Sequence, residues 1–155
     1  MNTDESSNLC QFKQRLEEKE IQVSAPRLAI ANFVLKTESH PTAEEVKHNV
    51  EKFFPMVSLA TVYNTLNLFV EKGLLKALRD PASETLRYDC NLEPHFHFYD
   101  EDEKRLMDLD GSSIKIPSAD KLIGEDYEIS SVEVLLRGRS LNPKSKTKEN
   151  HSKKG

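Results

Sequence analysis

Ser58-Leu59-Ala60-Thr61-Val62-Tyr63-Asn64-Thr65-Leu66 is the stretch whose reading decides the fold. Leu59, Val62 and Leu66, continued by Phe69, recur at i, i+3, i+7 and i+10, the apolar stripe of an α-helix. That spacing leaves Ser58, Thr61, Tyr63, Asn64 and Thr65 toward solvent or a ligand. Short hydroxyls at a helix N-terminus suit phosphate oxygens, and Tyr and Asn can touch base edges and thymine methyls. The same residues also suit the polar face of an ordinary helix, so the neighbouring elements must decide.

Upstream, Leu9, Phe12 and Leu16 give a short amphipathic helix over residues 9–20. Ser24 then caps a second helix with Pro26 and Arg27 in its first turn and Leu28, Ile30, Ala31, Val34 and Leu35 inward. Thr42-Ala43-Glu44-Glu45 is a capping box that opens a third helix, from Ala43 to about Lys52. Pro55 closes the next turn, Ser58 caps the fourth helix, and Gly73 stops it after Lys72. Beyond Gly73 the period changes: Leu74–Arg79 and Thr85–Asp89 read as strands around the turn Asp80-Pro81-Ala82-Ser83. Helices followed by a β-hairpin predict a winged helix-turn-helix with the hairpin as wing, and the fourth helix as its reading helix.

Three more strands are expected at His95–Tyr99, Leu106–Leu109 and Glu133–Gly138, with a short helix near Ala119–Ile123. The fold class is α+β: an N-terminal winged-helix domain over residues 1–88, a hinge at 89–94 and a C-terminal α/β domain over 95–140. Residues 1–8 and the Lys-rich tail 141–155 are expected to be disordered.

Composition sets bounds. Hydrophobic residues make up 37% and charged residues 31%, as in ordinary globular proteins. No apolar run approaches the ~20 residues that cross a bilayer, and the polar, acidic start is unlike a signal peptide. Two cysteines, Cys10 and Cys90, are too few for a disulfide framework and form no CxxC pair. A cytoplasmic protein is expected. The net charge of −4 sits awkwardly with phosphate binding. Basic and acidic residues balance up to about Arg79, however, while Asp80 to Glu128 is strongly acidic, so the first half can still present a basic face.

His40, Asp89, His95, His97 and Asp108 bracket the reading helix, and as three imidazoles and two carboxylates they suit a borderline divalent cation. In His95-Phe96-His97-Phe98 the strand alternation puts both imidazoles on one face. Two surface histidines on a half-exposed strand would look the same. Asp89 ends the wing, where an acid is disfavoured unless it has work to do. Asp108 ends a later strand, and His40 lies in the turn Ser39-His40-Pro41. Each alone is as readily a solvated or loop-packing residue. His48 and His151 fit a solvated helix face and the tail.

These pieces together resemble the ferric uptake regulator (Fur) family, and within it the peroxide-sensing PerR branch. The resemblance runs from about Leu16 to Gly138 and is carried by Ser24-Ala-Pro-Arg27, Ser39-His-Pro-Thr-Ala-Glu-Glu-Val46, Ser58 to Leu66, Glu71-Lys-Gly-Leu-Leu75, Arg87-Tyr-Asp89 and His95-Phe-His97 through Asp108. It implies a regulatory metal site at His40, Asp89, His95, His97 and Asp108, loaded with Fe(II) or Mn(II), or with Zn(II) in vitro. Both carboxylates are Asp, the pairing typical of the peroxide sensor, in which bound Fe(II) reacts with peroxide and a ligand histidine is oxidised. That role would fall to His40 or His95. DNA contacts would fall on Tyr63 and Asn64, with Arg27 supporting the backbone. The resemblance further implies a homodimer, held by the C-terminal domain, on a palindromic double-stranded operator.

The chain departs from the family in three places. The family's four-cysteine structural zinc uses two CxxC motifs, but the first pair's positions hold Asp100 and Glu103, and Arg139-Ser140 stands after Gly138. Pro94 and Phe96 replace ligands of a second regulatory site, and Gln22 replaces a common minor-groove lysine. The expected function is a metal-dependent, peroxide-responsive DNA-binding regulator, a repressor by resemblance. Its rivals are an iron, manganese or zinc sensor without peroxide chemistry, a non-haem iron enzyme built on a facial triad, and a metal-free DNA-binding or adaptor protein.

Overall fold

Apolar periodicity in the first 75 residues and alternation after them give four helices and then strands, in the order α1 Thr3–Glu18, α2 Ala25–Lys36, α3 Ala43–Val50, α4 Leu59–Glu71, β1 Lys76–Arg79, β2 Leu86–Asp89, β3 Phe96–Asp100, β4 Arg105–Leu109 and β5 Leu135–Gly138. The computed structural model describes residues 3–37, 39–113, 123–124, 126–129 and 132–141. The chain divides into two compact units, Met1–His95 and Phe96–Gly155. Among the described residues no helix is long and apolar enough to cross a membrane.

The first unit is the winged helix. Phe12, Leu16, Ile30, Val34, Val46, Val50, Val62, Leu66, Phe69 and Leu74 form its core, each at most 2% exposed. Phe12 of α1 meets Phe69 of α4 edge-on, with ring centroids 5.3 Å apart, the arrangement that ring quadrupoles favour. α3 and α4 form the helix-turn-helix. Thr42 accepts from the Glu45 amide while Glu45 accepts from the Thr42 amide at 2.8 Å, so the expected capping box is present.

α4 ends in a paired-hydrogen-bond stop. Gly73 adopts φ +69°, its amide donates to Val70, and Leu74 donates to Phe69. α1 ends the same way, but with Glu20 in the left-handed position at φ +57°. β1 and β2 pair antiparallel, Lys76 opposite Asp89, around a turn that Asp80 closes by accepting from the Ala82 amide.

Two expectations need correction. α1 begins at Thr3, so it takes in residues 3–8, read from sequence as disordered. These residues have no apolar spacing to betray a helix. Ser24 occupies the cap position of α2 but makes no side-chain cap hydrogen bond. Pro26, two residues on, lacks the amide such a cap would hold. Asp89 ends β2, as the strand expected at Thr85–Asp89 has it, and the break between units falls at His95–Phe96, just past the hinge expected at 89–94.

The second unit is a three-stranded sheet in the order β4-β3-β5, with β3 and β4 antiparallel and β3 and β5 parallel. The β3–β4 turn is held by Asp100, which is 5% exposed and accepts from the amides of Asp102 and Glu103. Of the short helix expected near Ala119–Ile123 the described residues include Ile123 alone, and the tail from 142 onward lies outside them.

Candidate metal centre and nucleic-acid face

The first unit brings three of the five candidate ligands together. β2 runs beside the His40–Thr42 segment: the Tyr88 amide donates to the Pro41 carbonyl at 3.0 Å, and Thr42 and Arg87 form an isolated β-bridge. This pairing places His40 next to Asp89, 49 positions later in the chain. His40 Nδ1 lies 3.7 Å from Asp89 Oδ1, and His95 Nε2 lies 3.2 Å from Asp89 Oδ2. The two imidazole centroids are 6.4 Å apart. Asp89 is 1% exposed and His40 4%.

A carboxylate so buried must be neutralised, because desolvating an uncompensated charge is costly. Two imidazoles do this if one is protonated, or a divalent cation does it if both are neutral. The orientation of His95 is also the one that a cation needs. Its Nδ1 lies 2.8 Å from the Glu93 carbonyl, so Nδ1–H donates there and Nε2 is left to ligate. Asp89 Oδ1 likewise accepts from the Asn91 amide at 2.7 Å, which fixes its carboxylate plane. A nitrogen and oxygen donor set of this kind fits Fe(II), Mn(II) or Zn(II).

His40 sits at φ +50°, a left-handed conformation that His adopts more readily than most residues but rarely without cause. That turn aims its ring back at β2.

The second unit holds the remaining pair. His97 on β3 stands opposite Asp108 on β4, and His97 Nε2 lies 3.6 Å from Asp108 Oδ1. Neighbouring strands thus make a two-residue half-site by register alone. His95 immediately precedes β3, one residue short of the strand start expected there.

On the reading helix, Ser58 Oγ accepts from the Thr61 amide at 3.0 Å and lies 2.9 Å from the Thr61 hydroxyl. Ser58, Thr61 and Asn64 are exposed. Tyr63 is half-buried and donates its hydroxyl to Glu44 of α3 at 2.9 Å. This hydrogen bond, made with the charged acceptor, raises the Tyr63 phenol above its ordinary range. Arg27 Nη1 donates to the Gln22 carbonyl at 2.7 Å at the start of α2.

Thr65 is the exception. It is 4% exposed and shares the inward face with Val62, Leu66 and Phe69, so it cannot reach DNA. Its hydroxyl made it look polar and outward, whereas at i+3 from Val62 the helical period turns it inward. Sequence reasoning also missed Glu44, Asn91, Arg87 and the Glu93 carbonyl. A backbone acceptor leaves no signature in the side-chain string, and Glu44 meets Tyr63 only across the helix-turn-helix.

A profile of the ferric uptake regulator family matches residues 18–137. The peroxide-responsive repressor PerR of Staphylococcus aureus strain Mu50 is 32% identical over 94 residues, 61% of this chain; the chain spans 63% of that relative's length. The structure of the ferric uptake regulator of Helicobacter pylori aligns at a TM-score of 0.70 and 16% identity, covering 94% of this chain and 96% of that one. PerR from Streptococcus pyogenes aligns at a TM-score of 0.52 and 26% identity, covering 86% and 91%. With a winged helix, an α+β architecture and a match over most of its length, the chain belongs to the ferric uptake regulator family.

Proposed function

We propose that this chain is a DNA-binding transcriptional regulator, a repressor, in which one divalent cation takes His40, Asp89 and His95 from the first unit and His97 and Asp108 from the second. The observation that carries the reading is the buried Asp89 carboxylate, faced by two imidazoles with His95 Nδ1 turned to the Glu93 carbonyl. Sharing ligands between units makes occupancy a matter of their arrangement. Asp89 and Asp108 repel when drawn together without a cation and cease to repel around one. Differential affinity for that arrangement is what would shift DNA-binding competence. Ser58 and Thr61 would meet phosphates at the N-terminus of α4, and Tyr63 and Asn64 would meet base edges of a palindromic operator bound by a homodimer.

Iron is the metal that would give the site a response to peroxide, since Fe(II) can pass an electron to it and Mn(II) does so poorly. Two aspartates and the similarity to peroxide-responsive repressors support this finer reading. His40 and His95 flank Asp89 and would be the side chains oxidised. The test is anaerobic Fe(II) loading, a submillimolar peroxide pulse and mass mapping, with DNA bound throughout. One added oxygen on His40 or His95 with release of the DNA, and an inert Mn(II) form, are expected. An unchanged mass and retained DNA would make the protein a plain metal sensor.

A further inference from the structure

Arg87 ligates nothing, yet it is 8% exposed and stands on β2 two residues before Asp89. Its guanidinium faces three acceptors. Nε donates to Asp80 Oδ2, Nη1 donates to the His40 carbonyl at 3.0 Å, and Nη1 lies 3.7 Å from Glu45 of the capping box. Asp80, itself 6% exposed, holds the wing turn: Oδ1 accepts from the Ala82 amide at 2.8 Å, and the Asp80 amide donates to Thr85 at 2.9 Å. A single planar cation therefore connects the wing turn to the backbone of a candidate ligand. Burying such a pair is weak evidence for stability, because apolar residues of similar volume often serve as well or better. The left-handed turn at His40 supplies another reason. A residue with a Cβ persists there only where its surroundings hold it, and the bond to its carbonyl is one such restraint.

We propose that Arg87 is a positioning residue that couples the wing to His40. It fixes the His40 backbone so that the imidazole faces Asp89, and it passes any shift of that turn to Asp80 and the wing. This rests on the metal reading proposed above. Coupling of this kind is reciprocal: DNA held by the wing would tighten the metal by the factor by which metal tightens the DNA.

The test is a Co(II) titration of the full chain followed by visible d–d absorption, which reports both affinity and ligand number. Arg87→Met is expected to weaken Co(II) binding at least tenfold and to alter the band intensity as His40→Ala does. The double variant His40→Ala/Arg87→Met should bind no more weakly than His40→Ala alone, since Arg87 acts through His40. Arg87→Lys should recover part of the loss, because an ammonium can reach Asp80 or the His40 carbonyl but not both. Wild-type affinity in Arg87→Met, or losses that multiply in the double variant, would overturn the proposal. If Arg87→Met loses its far-ultraviolet helical signal, Arg87→Lys decides: affinity weakened several-fold supports the coupling and unchanged affinity ends it. A wild type that takes up no Co(II), or a His40→Ala that binds like wild type, defeats the metal reading itself and this inference with it.

Discussion

Single side chains set the terms on which the site operates. His97 and His48 are the informative contrast: one faces Asp108 across a strand pair, the other lies on α3 beside Glu51. At saturating Mn(II), His97→Ala should weaken binding to a duplex selected by the wild type far more than His48→Ala does. A gel-shift titration giving equal affinities would sink the shared-cation reading. Tyr63→Ala should relax specificity at one operator position by about 1–3 kcal/mol. An even loss across specific and random DNA would mean that Tyr63 only positions the helix. Asp80 offers a pH handle. Burial pushes its carboxyl up, but the Ala82 amide and Arg87 more than offset this and leave it below its ordinary value. A depressed folded value means that its stabilisation is complete above the ordinary range near pH 3.9 and is lost as pH falls below it. The difference in melting temperature between wild type and Asp80→Asn should therefore hold from pH 7 to about pH 4 and close below that.

At the scale of elements, what could be read in advance was what periodicity and capping encode. Thr42-Ala43-Glu44-Glu45 announces its helix because two side chains reciprocate two orphan amides, and the structure makes both bonds. Gly73 announces its stop because a left-handed residue without a Cβ costs little. Glu20 makes the same kind of stop with a side chain present, which no sequence rule marks. Glu20→Gly should then stabilise the first unit by about 1 kcal/mol, measured as a higher urea midpoint at unchanged slope. A lower midpoint would show that the Glu20 side chain holds the turn. Of the candidate site, residue types at separated turns were legible, and His97 opposite Asp108 follows from strand register. The convergence on Asp89 was implied by the resemblance and not by spacing, because it depends on β2 lying against residues 40–42, a pairing between segments far apart in sequence. Thr65 misled because polarity was read before angle.

At the scale of the molecule, the two units divide the labour differently. The first owns a buried apolar core that contains α1 to α4; the second is a small sheet whose β5 leaves Leu135 41% and Leu136 44% exposed. Two cysteines are too few for the four-thiolate zinc that the resemblance implies, so on the proposed reading burial of apolar strand surface takes over its part in holding the dimer. A strong chelator should leave the far-ultraviolet spectrum and the oligomeric mass unchanged while abolishing DNA binding. Loss of either on chelation would reveal a structural metal.

The Asp100 turn gives that division a chemical edge. At the position where the resemblance puts a metal-bound thiolate, a carboxylate gathers the amides of Asp102 and Glu103. Thiolates climb an oxidation ladder through sulfenic to sulfonic acid and shed their metal on the way; a carboxylate has no such rung to climb. A burst of oxidant large enough to dismantle a cysteine clasp would leave this turn shut. On the proposed reading, damage would then stay with His40 and His95, and the sheet would outlast the signal.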